Sequence, residues 1–240
     1  MRGSTPVAIP VEKGRDMPGW TFQPRSTPRG RCVVAPDIYG PSPFYAEVSR
    51  LLAAEGFTTT LVDYFFREGP LPEVTREAAF ARRAGLDEQR ALRDLSAAID
   101  HVGAKEARTG LVGFCLAGQF ALDLCAQRQD LATVCYYPFP EGVDGEVAVR
   151  APRPIDLADE IRGPILAMWG THDYIPLDVI ARFEKAMLET GVDYTQRLYE
   201  GAGHSFLQGL VEERPDSAAA HGSWRETLRF LNAHVVGQVS

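Results

Sequence analysis

The sequence predicts an α/β fold in which a mostly parallel central sheet is flanked by helices. Three observations predict it. From about residue 31, short β-branched runs alternate with stretches of helical periodicity, as stacked βα units require. Each apolar run ends near a Gly, Pro, Asp or Glu, where a chain leaves a sheet. The helical stretches carry one apolar stripe each, so they cover a core with a single face.

The runs place strands over residues 31–35, 58–62, 109–114, 133–137, 164–169 and 194–199, and the segment before them admits a β-hairpin. The first helix opens at Ser42, with Pro43 in its first turn, where the missing N–H costs nothing. It lines up Phe44, Val48, Leu51 and Leu52 and stops at Gly56. Further stripes are Leu92, Leu95, Ile99 and Val102, then Ile180, Phe183 and Met187, then Trp224, Leu228, Leu231 and Val235. Residues 138–154 are rich in proline and charge and lack periodicity, which reads as a surface excursion with a lid among its expected roles.

The 240-residue chain carries 25 Lys and Arg against 32 Asp and Glu, a net charge of −7, which argues against a nucleic-acid partner. With 45% hydrophobic and 24% charged residues it should fold, and its length suits one domain over residues 1–240. The first thirty residues hold five prolines and no apolar run fit for a signal peptide, and no stretch approaches the ~20 apolar residues of a membrane span. The four cysteines show no Cys-x-x-Cys spacing, so neither a zinc site nor a disulfide framework is expected. Cys32, Cys125 and Cys135 sit inside apolar runs and read as buried reduced thiols of a cytoplasmic protein.

Cys115 differs. Gly113-Phe114-Cys115-Leu116-Ala117-Gly118 takes a strand into a helix through a turn so sharp that small residues are needed two places either side of the nucleophile, and Gly113 and Ala117 supply them. Such an elbow lifts the sulfur to a helix N-terminus, where dipole and free amides favour thiolate, and turns the Leu116 amide toward a developing oxyanion. Nucleophile, acid and histidine follow in that order in such folds. Asp173 lies in the loop after one strand, within Trp169-Gly170-Thr171-His172-Asp173, and His204 in the loop after the next, within Gly201-Ala202-Gly203-His204-Ser205-Phe206. Catalytic groups of parallel sheets gather at those strand ends. His172 is the rival base. No HExxH motif or phosphate-cradling glycine loop competes.

These motifs resemble those of the dienelactone hydrolase family, α/β-hydrolases with a cysteine nucleophile, over about residues 31–231. Ala35-Pro36-Asp37-Ile38-Tyr39-Gly40 resembles the family's Gln-Glu-Ile-Phe-Gly-like run, which implies that Asp37 stands where a glutamate helps to generate the thiolate. The resemblance also implies that the Ile38 amide joins that of Leu116 in the oxyanion hole. Asp63-Tyr64-Phe65-Phe66-Arg67 resembles Asp-Leu-Tyr-x-Arg, which implies that Arg67 binds a substrate carboxylate. Two positions depart from the family: Asp37 is one methylene shorter than glutamate, and Gln208 stands where a second carboxylate-binding arginine falls.

The expectation is a single-domain α/β-hydrolase that cleaves a small-molecule lactone or ester through Cys115, His204 and Asp173, with no metal, organic cofactor, nucleic acid or membrane involved. A carboxylesterase or thioesterase of different substrate range is the enzymatic alternative, favoured by Gln208. A non-catalytic or redox-sensing protein using Cys115 is the alternative of another class.

Overall fold

The computed structural model describes residues 1–103 and 107–236. Eight strands form one sheet: β1 (Thr5–Glu12), β2 (Arg15–Phe22), β3 (Gly30–Ala35), β4 (Phe57–Val62), β5 (Thr109–Phe114), β6 (Leu131–Tyr136), β7 (Ile165–Gly170) and β8 (Tyr194–Tyr199), in the spatial order β1-β2-β4-β3-β5-β6-β7-β8. Strands β3 to β8 are parallel, and the admitted N-terminal hairpin is present as β1 and β2, joined antiparallel to β4. The six strands read from the sequence all occur, with ends that move by two residues at most.

Among the described residues six α-helices cover the sheet: α1 (Pro43–Ala54), α2 (Arg76–Ala84), α3 (Glu88–Val102), α4 (Leu116–Cys125), α5 (Leu177–Glu189) and α6 (Ser217–His234). The four apolar stripes fall on α1, α3, α5 and the end of α6. α2 is the helix that the apolar pattern does not announce. Thr75 caps it, accepting from the Ala78 amide at 3.2 Å, but only Ala79 and Arg83 are buried in it. Among the described residues no helix is long and apolar enough to cross a membrane.

Two features of this winding place the site. The chain runs from β3 outward to β4, then returns past β3 to β5, so the winding reverses between β3 and β5 and opens a crevice at their C-terminal ends. Close backbone approaches do the rest. A Cβ on Gly113 would run into the Ala117 carbonyl, so only glycine lets β5 enter α4 at this angle. A Cβ on Gly170 would run into the Ala202 carbonyl, so glycine lets the loop after β8 lie against the end of β7.

The 138–154 stretch is not a free-standing excursion. Trp169 Nε1 donates to the Pro138 carbonyl at 2.8 Å, Val149 forms a parallel bridge with Asp87, and Pro138, Pro140, Val143 and Ala151 are buried. It is fastened to the body as a wall because its backbone bonds run to α3 and to the turn before it: the Ala148 amide donates to Leu86 O at 3.1 Å and the Glu88 amide to Val149 O at 2.8 Å.

Gly170→Ala should lower the free energy of unfolding by about 1–3 kcal/mol, the usual cost of overpacking, because the obstacle is backbone. Urea denaturation reads this; an unchanged midpoint and slope would mean that the two loops do not approach so closely.

Candidate active site

Cys115 directly follows β5 and is the N-cap of α4, with φ 56° and ψ −118°. Among the described residues two other non-glycine residues have positive φ, Tyr137 (42°) after β6 and Ser205 (64°) after β8, and all three lie at the C-terminal end of the sheet. Backbone strain of this kind costs about 1–3 kcal/mol per residue and collects at functional sites.

His204 Nδ1 lies 3.0 and 2.9 Å from the two Asp173 carboxylate oxygens. The Asp173 side chain is fully buried, and its Oδ1 also accepts the Ile175 amide at 3.2 Å. A carboxylate only accepts, so Nδ1 carries the proton it receives and Nε2 is left as the second ring nitrogen. That Nε2 is buried without a hydrogen-bond partner among the described residues. The ring is packed by Tyr174, Tyr137 and Phe139, at centroid distances of 4.4, 4.6 and 5.8 Å. His172, the rival base, is exposed and lines neither part of the cavity described next.

The crevice has two lobes that meet at Cys115, Ile38 and Arg76. The larger, about 580 Å³, lies between α2, the 138–154 wall and the start of α5, and is lined by Phe80, Phe139, Val143 and Val179 among others. The smaller, about 230 Å³, takes in Asp37, Tyr39 and His204. Together they fall within the range of small-molecule sites. Thus Cys115, Asp37, Ile38 and His204 share one recess, Leu116 follows Cys115 at the head of α4, and Asp173 stands behind His204.

The electrostatics correct one expectation. Burial pushes the Cys115 thiol well up, the Asp37 charge pushes it further, and the hydrogen bond from the Leu116 amide only partly opposes them. Desolvation of a residue that is 6% exposed thus outweighs the pull of the helix end and favours the thiol over the thiolate. Burial also raises the Asp37 carboxyl, and the Tyr39 amide, donating to Oδ1 at 2.9 Å, and the Tyr45 hydroxyl oppose the rise only in part.

Arg67 and Gln208 are not brought to the cavity. Arg67 donates from Nε and Nη2 to the two Asp94 oxygens at 2.7 and 2.9 Å and from Nη1 to Glu12 at 2.8 Å. α3 presents a buried carboxylate beside the turn after β4, and the forked pairing takes the guanidinium. Gln208 Oε1 accepts from Arg214 Nη1 at 2.5 Å, and Gln208 lines neither lobe.

Sequence reasoning missed Arg76, which lines both lobes from the first turn of α2, its guanidinium carbon 5.4 and 5.9 Å from the Phe80 and Tyr174 ring centres. Arg153, the other cation on the larger lobe, is paired with Asp156 at 2.6 Å, whereas Arg76 has no carboxylate partner among the described residues. A cation at a helix N-terminus opposes the helix dipole, so folding alone gives no reason for it. The signal available in the sequence was the Thr75 cap before Arg76. Among the described residues no group of three or more His, Cys, Asp and Glu could hold a metal.

The sheet order, with its strained elbow after β5, defines an α/β-hydrolase. A family model described as the dienelactone hydrolase family matches residues 17–235, and the chain belongs to that family. It is 35% identical over 237 residues to a carboxymethylenebutenolidase of Rhodococcus opacus, covering 96% of this chain and 94% of the relative. It is 36% identical over 196 residues to carboxymethylenebutenolidase 2 of Cupriavidus pinatubonensis, covering 79% and 78%. A crystal structure of an assigned dienelactone hydrolase from Klebsiella pneumoniae superposes with a TM-score of 0.85 at 22% identity, covering 96% of this chain and 98% of that one. The protein is therefore a dienelactone-hydrolase-like enzyme, a carboxylic ester hydrolase, and the non-catalytic alternative falls away.

Asp37→Asn removes a negative charge that opposes thiolate formation at Cys115. The thiol pKa should fall, and iodoacetamide should modify Cys115 faster at a given pH below it. A rate–pH profile identical to that of the unaltered protein would show that the Asp37 charge does not reach the sulfur.

Proposed function

We propose that the protein hydrolyses a small lactone or ester by acyl transfer through Cys115, with His204 as proton carrier and Asp173 as its orienting acid. The observation that supports this most is the shared recess: Cys115 at a strained elbow, beside an imidazole whose Nδ1 is held by Asp173 and whose Nε2 is buried and unpartnered. A buried ring nitrogen left without a partner is costly unless a reacting group completes it.

The reaction proceeds in two halves. Burial favours the thiol at rest, and its proton passes to His204 Nε2 as the sulfur forms its bond to the substrate carbonyl carbon. The carbonyl electron pair moves onto oxygen, which the amides of Ile38 and Leu116 receive. Reformation of the carbonyl expels the ring or ester oxygen, which takes the proton from His204 and leaves a thioester on Cys115. Water then attacks the thioester carbon, giving its proton to His204, and the carboxylic acid departs as the proton returns to sulfur. Asp37 is a charge beside the sulfur rather than a member of the relay. No cofactor enters this route.

Arg76 is the group that reads a substrate carboxylate, in the role that the resemblance gave to Arg67. The named activity of the Rhodococcus and Cupriavidus relatives, carboxymethylenebutenolide hydrolysis, involves such an anion, and a guanidinium without a carboxylate partner at the junction of the two lobes suits it. The apolar side chains that share the larger lobe, among them Phe80, Phe139, Val143 and Val179, favour a second reading, a carboxylesterase acting on neutral esters. The four free thiols, all buried, suit a reducing compartment, and the cytoplasm is the proposed location.

Cys115→Ala should abolish turnover of a dienelactone with the folded spectrum intact, and intact-protein mass spectrometry with a slow ester should find the acyl group on Cys115. Retained activity or acylation elsewhere would reject the nucleophile. Arg76→Ala should raise KM for the anionic lactone about tenfold or more, with little change for a neutral aryl ester, and Arg67→Ala should change the anionic KM less. Equal effects of Arg76→Ala on both substrates would support the carboxylesterase reading.

A further inference from the structure

Two neighbouring arginines of α2 turn inward and hold different parts of the cavity. Arg82 donates from Nη2 to the Ile38 carbonyl at 2.7 Å and so ties α2 to the turn after β3. Arg83 is fully buried and reaches the opposite side. Its Nη2 and Nε donate to Glu88 Oε1 at 2.7 and 3.2 Å, while Nη2 and Nη1 also donate to the carbonyls of Val143 and Asp144 at 3.0 and 2.8 Å. Glu88, in the first turn of α3 and equally buried, uses its other oxygen to accept the Ala151 amide at 3.0 Å.

One ion pair therefore grips the 143–151 stretch at both ends. Val143, Asp144 and Gly145 wall the larger lobe, and Arg76 and Phe80, from the same helix as Arg83, line it too. Asp123, the nearby acid on α4, is pushed well above the carboxylate range, chiefly by burial and further by the Glu88 charge, and the carboxylate that Arg83 bonds is that of Glu88. Stability gives little reason to build such a contact: each buried ion costs several kcal/mol of desolvation, and well-packed apolar side chains often do as well. What the pair supplies is placement, since a planar guanidinium bonded to a carboxylate and two carbonyls admits little play.

We infer that the Arg83–Glu88 pair is the specificity clamp of this enzyme: it sets the position of residues 143–145 against Arg76 and Phe80, and thereby the bulk of substrate that the larger lobe admits. Arg83 and Glu88 are positioning residues, acting through the wall. The inference rests on the reading that this cavity receives the substrate.

The test compares Arg83→Met, Glu88→Leu and the double variant with the unaltered enzyme. Each single variant leaves a buried charge unpaired and should melt lower than the double, which removes both. In the double variant, amide exchange over residues 142–152 should quicken by about tenfold or more while the sheet strands stay protected. KM for p-nitrophenyl benzoate relative to p-nitrophenyl acetate should shift by about tenfold, the scale of shape discrimination in an apolar pocket, with kcat for the acetate changed by less than about twofold. Relative Kd for benzoate and naphthoate, which needs no turnover, should shift likewise. Unchanged exchange in the double variant, or quickened exchange with both ratios within about twofold of the original, would overturn the clamp. An unaltered enzyme that cleaves neither ester would instead sink the proposed function, and exchange together with the Kd ratio would still decide the clamp.

Discussion

The backbone of Cys115 is the constraint on which the rest depends. Its φ of 56° is a conformation that a side-chain-bearing residue avoids, and it holds only because the surroundings leave no alternative. The Cys115 amide donates to Tyr136 O at 3.0 Å, and Phe114 stacks on Tyr136 with ring centroids 5.0 Å apart and planes 8° from parallel. Every residue of α4 is buried, so the helix cannot shift to relieve the turn. Gly118 lies so close to Pro138 that an added Cβ would sit 3.1 Å from the proline ring, and this packs the elbow against the root of the cavity wall. The core stores the strain, and the sulfur is held at the crevice as a result.

Around that point two kinds of structure meet. The sheet side is apolar and close-packed, and it sets positions through glycine contacts and stacked rings. The opposite side is polar. There α2 hangs between the oxyanion turn and the wall by Arg82 and Arg83, with Arg76 facing the crevice. Among the described residues Arg67, Arg83 and Arg153 are taken by carboxylates and Arg82 by backbone carbonyls, whereas Arg76 has neither. A cation that the fold has not already used can answer to a ligand.

What the sequence disclosed follows from the same division. The strands, the elbow and the Asp173 and His204 loops were legible because they rest on local rules: β-branched runs, small residues beside a sharp turn, and the tendency of parallel strands to end in functional loops. α2 was not, because its buried face consists of Ala79 and Arg83, which has no apolar period. Arg67 had a suitable neighbourhood in sequence, but its partner Asp94 lies 27 residues away on α3, and no local pattern reports that pairing. The balance of forces on the Cys115 thiol was not legible for a related reason. A helix end can be read from the chain, whereas the depth at which the fold buries it cannot.

The four cysteines carry a consequence of their own. All are free; Cys32, Cys125 and Cys135 are at most 1% exposed inside the sheet and α4, and Cys115 alone opens onto the crevice. In the folded protein a small electrophile has one sulfur to find, while an unfolded chain offers four. The number of thiols that react is thus a gauge of folding integrity carried by the molecule itself: one per chain counts intact active centres, and each value above one measures the fraction whose core has opened.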